Sequence, residues 1–303
     1  MPRILAAADI GSNTAHLLIA SVEGNQVTRI SDTNEWLALG EKVSRVGHIP
    51  ADDAILLRKT LKAFHRLAHI HNAEAMYVFA TEAIRKATNG MDILGVLSRE
   101  GMPVEVIDGK REAEFGLLGA WADCAKTGSN HLMIEVGGGS AQVAVVDGGN
   151  PPKITVEHSL PLGTGTLIGR LKLTQPSSPE KVAELRKAVS DMVEPLVSPA
   201  ESVFAVGGVA RGLWRALHPD GNQQICREEL EYLIWATARL TDNEIMARFN
   251  IKLRRAVTLF PGAVVCATLL GCADQSQMRV SRFGVREGAI LEMARGRIKP
   301  WLV

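Results

Sequence analysis

The sequence lacks the compositional signals of a nucleic-acid-binding or low-complexity protein. Its formal net charge is only +1, so no overall field favours a polyanion, and any anion binding must come from local geometry. Aromatic residues make up 5% of the chain, and its five tryptophans are scattered without the spacing of a base-stacking platform. No low-complexity segment or long linker interrupts the sequence. We therefore expect no nucleic-acid partner.

Cysteine motifs and membrane-spanning runs are also lacking. The four cysteines have no C-x-x-C spacing, which favours reduced cytoplasmic thiols over a disulfide framework or a zinc site. The longest apolar stretch, LFPGAVVCATLLGCA, contains Pro261 and two glycines and is too short to span a bilayer. The N-terminus enters an apolar strand without the pattern of a signal peptide. These features predict a cytoplasmic protein with no membrane partner.

The order of elements predicts an α/β fold. Residues 4–30 have the pattern of three strands joined by turns, and an amphipathic helix, the strand MYVFA and a helix beginning at Thr81 follow. The second half also alternates strands and helices, which implies substantial parallel pairing. A length of 303 residues with 46% hydrophobic residues is enough for two cores. We place the boundary in DCAKTGSN, giving domains 1–125 and 126–303, and expect the last helix to be able to pack back on the first domain.

The chain contains an internal duplication. ADIGSNTAHLLIASVEG aligns with IEVGGGSAQVAVVDGGN, so that Asp9 aligns with Glu135, Gly11 with Gly137 and Thr14 with Ser140. In both copies a strand, not a helix, follows the glycine turn, which argues against a dinucleotide-binding fingerprint. Two related domains are expected to face one another across a cleft, where ligands commonly bind.

Each glycine turn is a candidate phosphate site. Successive backbone N–H groups without Cβ crowding can point at one anion, and hydroxyl and amide side chains add donors. The carboxylate that precedes each turn repels phosphate unless a hard cation lies between them. The duplicated pattern thus predicts phosphate together with a divalent metal, although each turn taken alone is equally typical of a plain hairpin. The turn residues are Gly11, Ser12, Asn13, Thr14, Gly137, Gly138, Gly139 and Ser140.

Seven stretches carry a family resemblance. In chain order they are ADIGSNT, TEAIRKATN, VIDGKREAEFG, EVGGGS, SLPLGTGTL, AVGGVARGL and FGVREGAILE. Together they resemble the exopolyphosphatase and guanosine pentaphosphate phosphatase family of the actin, sugar kinase and heat-shock ATPase superfamily. The resemblance covers nearly the whole chain and implies two ribonuclease H-like (actin-like ATPase) domains with the active site in an inter-domain cleft. It further implies removal of a terminal phosphate from polyphosphate or guanosine pentaphosphate with Mg²⁺, or with Mn²⁺. Larger members carry an extra C-terminal helical domain, which we do not expect here because the sequence stops at Val303.

The resemblance also assigns residues. Glu112 matches the catalytic glutamate that positions or deprotonates the attacking water, and Arg85 matches a phosphate-facing arginine. Gly207 and Gly208 match a third glycine turn, in which Val209 replaces the family's threonine. Chemistry alone leaves other readings open, because Glu112 also suits the first turn of a helix and Arg85 suits a solvated helix face.

The predicted metal ligands depart from the family. Asp9, Glu135 and Gln142, the last through a water, are expected to face Mg²⁺. The family has aspartate where this chain has Glu135 and glutamate where it has Gln142. The first change adds a methylene and the second removes a charge, so hydrolysis is expected to be slowed, altered in metal preference or lost. The alternative function is a catalytically weakened relative that binds polyphosphate or a nucleotide as a sensor; a kinase is disfavoured.

Other charged residues are less specific. Lys110, Arg111 and Arg211 extend a candidate basic track for a longer polyanion, whereas IKLRRAV, which holds Lys252, Arg254 and Arg255, equally suits a solvated face. The last motif, with Arg286, Glu287 and Gly288, is interpreted as structural. His65, His69 and His71 share a helix without a third metal ligand, so a solvated or interface face is expected. The resemblance also makes a homodimer possible.

Overall fold

The computed structural model describes residues 2–124, 128–149, 151–298 and 300–302. The chain divides into two compact units: unit 1 comprises Met1–Ala122 and Phe283–Val303, and unit 2 comprises Asp123–Arg282. The sequence-based boundary fell a few residues later, at 125/126, which lies outside the described residues. The predicted second domain also ran to the C-terminus, with its last helix expected to be able to pack back on the first domain. Phe283–Val303 belongs to unit 1, and Ala289 and Ile290 of this stretch pack in a core with Leu5 and Ala7.

Unit 1 begins with alternating strands and helices. In chain order these are β1 (Arg3–Ile10), β2 (Thr14–Glu23), β3 (Gln26–Trp36), α1 (Leu39–Val46), α2 (Ala51–Ile70), β4 (Ala75–Ala80), α3 (Glu82–Lys86), α4 (Gly90–Arg99), β5 (Glu105–Val106) and α5 (Gly109–Cys124).

Unit 2 follows with a second set of elements, after which the chain returns to unit 1. Unit 2 contains β6 (His131–Val136), β7 (Ala141–Asp147), β8 (Lys153–Leu160), α6 (Thr164–Leu171), α7 (Pro179–Val193), β9 (Ser202–Val206), α8 (Gly207–Leu217), β10 (Gln224–Cys226), α9 (Arg227–Thr237), α10 (Asp242–Phe249), α11 (Leu253–Cys272) and β11 (Gln277–Val280). The return segment holds α12 (Val285–Ala294) and β12 (Trp301–Leu302).

The sheet of unit 1 combines an antiparallel meander with parallel strands. β1 pairs antiparallel with β2 and β2 with β3, while β1 pairs parallel with β4 and β4 with β5. Alternate residues of β1 enter different cores: Ala6 and Ala8 pack in the core with residues of α2 and α4, and Leu5 and Ala7 in the core with residues of α5 and α12. Because both faces are covered there, β1 and β4 are nearly continuous apolar runs, whereas β3 is largely exposed.

The sheet of unit 2 repeats this arrangement. β6 pairs antiparallel with β7 and parallel with β9, β7 pairs antiparallel with β8, and β9 pairs parallel with β11. The register is repeated as well, since Asp9 lies opposite His16 and Glu135 lies opposite Gln142. The predicted α/β fold and the internal duplication are thereby confirmed.

Helix α11 is the central helix of the unit 2 core. Its 20 residues are long and apolar enough to cross a membrane, contrary to the length inferred from the sequence, but 67% of its most apolar window is buried inside the protein. Its side chains from Ala256 to Leu270 pack in one core with residues of α7, α8 and α9. This packing is that of a core helix.

Candidate active site

The predicted site residues of unit 1 gather at one edge of its sheet. Residues 11–14 follow β1, Thr81 and Arg85 follow β4, and Glu112 follows β5. These three strands are parallel, so their carboxyl ends share an edge. That edge is where open α/β sheets bind ligands.

The first glycine turn, residues 11–14, is held from behind by its carbonyl groups. The carbonyl of Ser12 accepts a hydrogen bond from Gly40 N at 2.7 Å, and the carbonyl of Asn13 accepts from the N–H groups of residues 37 and 38 at 2.8 and 2.9 Å. In a trans peptide the C=O and the following N–H point in opposite directions. The N–H groups of Asn13 and Thr14 therefore point away from the 37–40 segment, which leaves them as candidate donors to an anion.

The second glycine turn, residues 137–140, is held in the same way. Its partner is the segment 163–166 at the start of α6, which we call the α6 segment. The carbonyl of Gly137 accepts from the N–H of residue 164 at 3.0 Å, and that of Gly138 accepts from residues 165 and 166 at 2.9 and 3.2 Å. The N–H groups of Gly138 and Gly139 consequently point away from α6. Aligned main-chain donors of this kind form anion-binding concavities.

The last residue of each turn contacts, through its hydroxyl, a side-chain nitrogen two residues further along the chain. Thr14 Oγ1 lies 2.7 Å from His16 Nε2, and Ser140 Oγ accepts from Gln142 Nε2 at 2.8 Å. Sequence reasoning missed His16. The duplication contains the signal that would have found it, because the same alignment that places Asp9 on Glu135 places His16 on Gln142.

The two strand-end carboxylates are held in environments that disfavour their charge. Burial raises the pKa of Asp9 to about 6, and the positive charge of Arg286 opposes this shift. Burial also raises the pKa of Glu135; Arg211 opposes that shift and Glu157 adds to it. A cation bound beside either carboxylate would favour its ionised form.

We expect Asp9→Asn to stabilise the protein at neutral pH. Because the folded-state pKa of about 6 exceeds the ordinary value of 3.8, the folded protein binds the extra proton and loses stability as pH rises between these values. An amide has no charge to desolvate, so the variant should gain about 2 kcal/mol at pH 8, discounted for the partial accessibility of Asp9. Thermal unfolding at pH 8 and near pH 4 measures this. The gain should vanish at the lower pH, and an equal gain at both would contradict the assignment.

The third glycine turn lies at the start of α8 and contacts Glu135. Gly207 has φ +83, a backbone conformation that favours glycine, and a Cβ there would lie 2.9 Å from Glu135 Oε1, so the Glu135 side chain would have to shift. The carbonyl of Gly208 accepts from Arg255 Nη1 at 2.8 Å. β6 and β9 are adjacent parallel strands, so the second and third turns share one sheet edge in unit 2.

Two of the basic residues singled out in the sequence, Arg255 and Arg111, have structural contacts. Arg255 is half-buried against the third turn, where burial and the charges of Arg254 and Arg215 lower its pKa, so the solvated-face reading is wrong for Arg255. Arg111 does not suit a polyanion track either. Its guanidinium lies 4.5 Å from the centre of the Phe115 ring and bonds to Glu114 at 3.1 Å.

The predicted catalytic pair lies in adjoining segments of unit 1. Glu112 lies in the first turn of α5, where its N–H donates to Asp108 O at 3.0 Å, and its side chain is partly exposed. Arg85 Nη1 donates to Ile107 O at 2.6 Å. This bond anchors the guanidinium to the loop that leads into α5, and a planar fork anchored along one edge can present its other donors to phosphate oxygens.

Two further residues from the sequence motifs, Glu287 and His65, have structural contacts. Glu287 is buried, accepts from Gly284 N at 2.8 Å and pairs with Arg29 at 2.6 Å. The ring of His65 stacks on Trp301 with centroids 5.2 Å apart. Within the described ranges, no three His, Cys, Asp or Glu side chains form a metal-binding group.

The donor set nevertheless suits one kind of metal. Mg²⁺ typically takes one or two protein carboxylates and completes its coordination with substrate phosphates and water. Asp9 in unit 1 and Glu135 in unit 2 each follow this pattern: a single carboxylate two residues before a phosphate-type turn, with a raised pKa. The residues therefore fit a Mg²⁺ ion that arrives with the phosphates.

Comparison with known proteins agrees with this geometry. Residues 18–296 match the sequence model of the Ppx/GppA phosphatase family. The chain belongs to this family. Exopolyphosphatase 1 of Mycobacterium bovis is 27% identical over 303 residues, which cover 95% of this chain and 87% of that protein. Exopolyphosphatase 1 of Mycobacterium leprae is 26% identical, covering 95% and 88% of the two chains.

Solved structures of Ppx/GppA proteins share the fold. The crystal structure of the Aquifex aeolicus family member has a TM-score of 0.89 at 23% identity, covering 99% of this chain and 100% of that one. An exopolyphosphatase from Cytophaga hutchinsonii has a TM-score of 0.78 at 20% identity, covering 97% and 98%. This Ppx/GppA chain therefore has the actin-like ATPase fold that the resemblance implied.

Proposed function

We propose that this Ppx/GppA protein hydrolyses the terminal phosphoanhydride bond of inorganic polyphosphate and releases phosphate. The observation that carries the proposal is the orientation of main-chain donors in both glycine turns. The carbonyls of residues 12 and 13 and of residues 137 and 138 are bonded on one side, which turns the following N–H groups to the other. Preorganised donors stabilise the charge that phosphate oxygens carry in the transition state.

The side chains of unit 1 supply the rest of the reaction. Phosphoanhydride cleavage requires a positioned water, an in-line leaving group and positive charge near the equatorial oxygens. The water oxygen forms a bond to the terminal phosphorus while the Glu112 carboxylate takes a proton from that water. The bridging P–O bond breaks, and the shortened polyphosphate leaves with the electron pair. The Arg85 fork holds oxygens of the transferred phosphoryl group.

A divalent cation, Mg²⁺ or Mn²⁺, is part of the proposal. When bound to the substrate it supplies positive charge to the phosphate oxygens. In unit 1 the candidate ligand for such a cation is the carboxylate of Asp9; in unit 2 the candidates are the carboxylate of Glu135 and, through water, the amide oxygen of Gln142. Gln142 also has a second task, because its amide nitrogen donates to Ser140 Oγ.

Polyphosphate is the first substrate because the relatives from Mycobacterium and Cytophaga are exopolyphosphatases. Guanosine pentaphosphate is the second, since the family takes part of its name from that activity. A cytoplasmic location and a homodimer belong to the proposal as expectations. The competing function is a sensor that binds these polyanions without turnover. It is favoured by one observation: a neutral amide, Gln142, lies opposite Glu135.

We expect Gln142→Glu to reduce the Mg²⁺ concentration needed for half-maximal phosphate release by about ten-fold, because a second carboxylate beside Glu135 adds a hard oxygen ligand. Phosphate release from polyphosphate and from guanosine pentaphosphate, titrated with Mg²⁺ and with Mn²⁺, measures this. Gln142→Met is the matched control, since it has similar length without an oxygen. An unchanged Mg²⁺ requirement in Gln142→Glu would contradict a metal role for this position. Tight binding of both substrates without release from either would establish the sensor.

A further inference from the structure

The peptide that joins Gly139 to Ser140 in the second glycine turn is held by a side chain, whereas the two preceding peptides are held by backbone N–H groups. Thr166 Oγ1 donates to the carbonyl of Gly139 at 2.7 Å. We propose that Thr166 is a positioning residue for phosphate binding, fixing the Gly139 carbonyl and thereby aiming the N–H of Ser140 at the phosphate. The inference rests on the proposed function and deepens it.

The bond acts on Ser140 because both groups belong to one peptide. Gly139 C=O and Ser140 N–H point in opposite directions across a planar trans unit. With the carbonyl bonded to α6, the N–H joins those of Gly138 and Gly139 on the opposite side of the turn. Backbone N–H groups of the α6 segment fix the other two peptides, and Thr164 Oγ1 adds a longer bond of 3.4 Å to the carbonyl of Gly137, which already accepts the backbone N–H of Thr164 at 3.0 Å. The bond to the Gly139 carbonyl comes from the Thr166 hydroxyl, so this peptide depends on which side chain occupies position 166.

Helix α6 acts through the turn rather than on the anion. The first N–H groups of a helix have no partner within it and need acceptors elsewhere. Here the N–H groups of Thr164, Gly165 and Thr166 donate to turn carbonyls. These N–H groups therefore bond to the turn, and the start of α6 fixes the conformation of the turn.

The close approach of Gly163 keeps the start of α6 in contact with the turn. A Cβ at Gly163 would lie 2.3 Å from the carbonyl carbon of Gly139, 2.4 Å from Ser140 N and 2.6 Å from the carbonyl carbon of Gly138. All three are main-chain atoms, which cannot rotate aside. The backbone at Gly163, φ −64 and ψ 147, is open to any L-residue. Contact with the turn, not conformation, is therefore what demands glycine.

The test compares Thr166→Val with Thr166→Ser. Valine keeps the shape and removes the hydroxyl, whereas serine keeps the hydroxyl. Binding of tripolyphosphate without metal, measured by calorimetry, and the KM and kcat for polyphosphate with Mg²⁺ are the readouts. We expect Thr166→Val to weaken tripolyphosphate binding and raise KM by about ten-fold, as the loss of one hydrogen bond allows, with a smaller change in kcat. Thr166→Ser should stay within about two-fold of wild type.

A second pair tests the contact itself. Gly163→Ala is expected to lower kcat/KM by about 100-fold, because the Cβ displaces the turn. Gly169→Ala is the matched control: it lies in the same helix, and a Cβ there meets nothing within 4 Å, so it should behave as wild type. Thermal unfolding of all four variants separates a displaced turn from an unfolded protein.

The outcomes separate this inference from the proposed function. If wild type binds and cleaves the substrates and Thr166→Val does so equally well, the positioning role is overturned and the function stands. Equal losses in the valine and serine variants also overturn it. If wild type neither binds tripolyphosphate nor releases phosphate, the proposed function fails and the positioning role fails with it.

Discussion

Phosphate release from polyphosphate is expected to fall by about 10²–10⁴-fold in Glu112→Gln, the usual range for loss of a general base. Glutamine keeps the size of the side chain but cannot take a proton from water. Glu112 is partly exposed in the first turn of α5, so the fold should survive the change. Steady-state phosphate release, together with tripolyphosphate binding to confirm an intact site, measures the effect.

The matched control for this substitution is Glu114→Gln. Glu114 lies on the same helix, undergoes the same chemical change and is engaged with Arg111, at a partly exposed position where an ion pair contributes at most about 1 kcal/mol. Its activity should remain within a few-fold of wild type. Comparable losses in both variants would assign the effect to the charge of the helix and not to a base at position 112.

Gly288→Ala is expected to destabilise the protein by about 3 kcal/mol or more, at the upper end of overpacking effects. Gly288 lies on α12, and a Cβ there would meet main-chain atoms of Phe115 on α5: the carbonyl oxygen at 1.8 Å, the carbonyl carbon at 2.6 Å and Cα at 2.8 Å. The two helices pack backbone to backbone here, so α5, which carries Glu112, must shift. Denaturant unfolding measures the loss.

Gly95→Ala provides the opposite expectation for the same chemical change. Gly95 lies within α4, also in unit 1, and a Cβ there would meet only the end of the Arg99 side chain, at 3.7 Å. Alanine favours a helix over glycine by up to about 1 kcal/mol, so this variant should match wild type or exceed its stability. Equal effects at positions 95 and 288 would refute the close helix contact.

The two α/β units and their duplicated glycine turns could be predicted from the sequence because local residue patterns encode them. The alternation of apolar residues and the aligned glycine turns predicted two α/β units with the same order of strands. The register, with Asp9 opposite His16 and Glu135 opposite Gln142, is also implied by the alignment. Turn length and apolar alternation fix a hairpin register locally, without distant contacts.

Contacts between distant segments could not be read in this way. The bond from Arg255 to Gly208 spans 47 positions, and nothing near either residue signals the other. The α6 segment likewise meets the second turn 27 positions away. Its motif SLPLGTGTL contributed to the family resemblance without revealing what its glycines and threonines contact. Arg111 is a local case, because its spacing of four residues from Phe115 on α5 already placed the two side chains on one helix face.

In both glycine turns, carbonyl groups accept hydrogen bonds from other segments of the chain. Because these bonds hold the turns in place, we expect phosphate binding to order little further backbone and to cost little conformational entropy. Main-chain N–H groups also respond to the negative charge of the phosphate and not to the chemical group attached to it. The two glycine turns should therefore accept a terminal phosphate whatever is attached to it. Discrimination between inorganic polyphosphate and guanosine pentaphosphate must then come from side chains that contact the rest of the substrate.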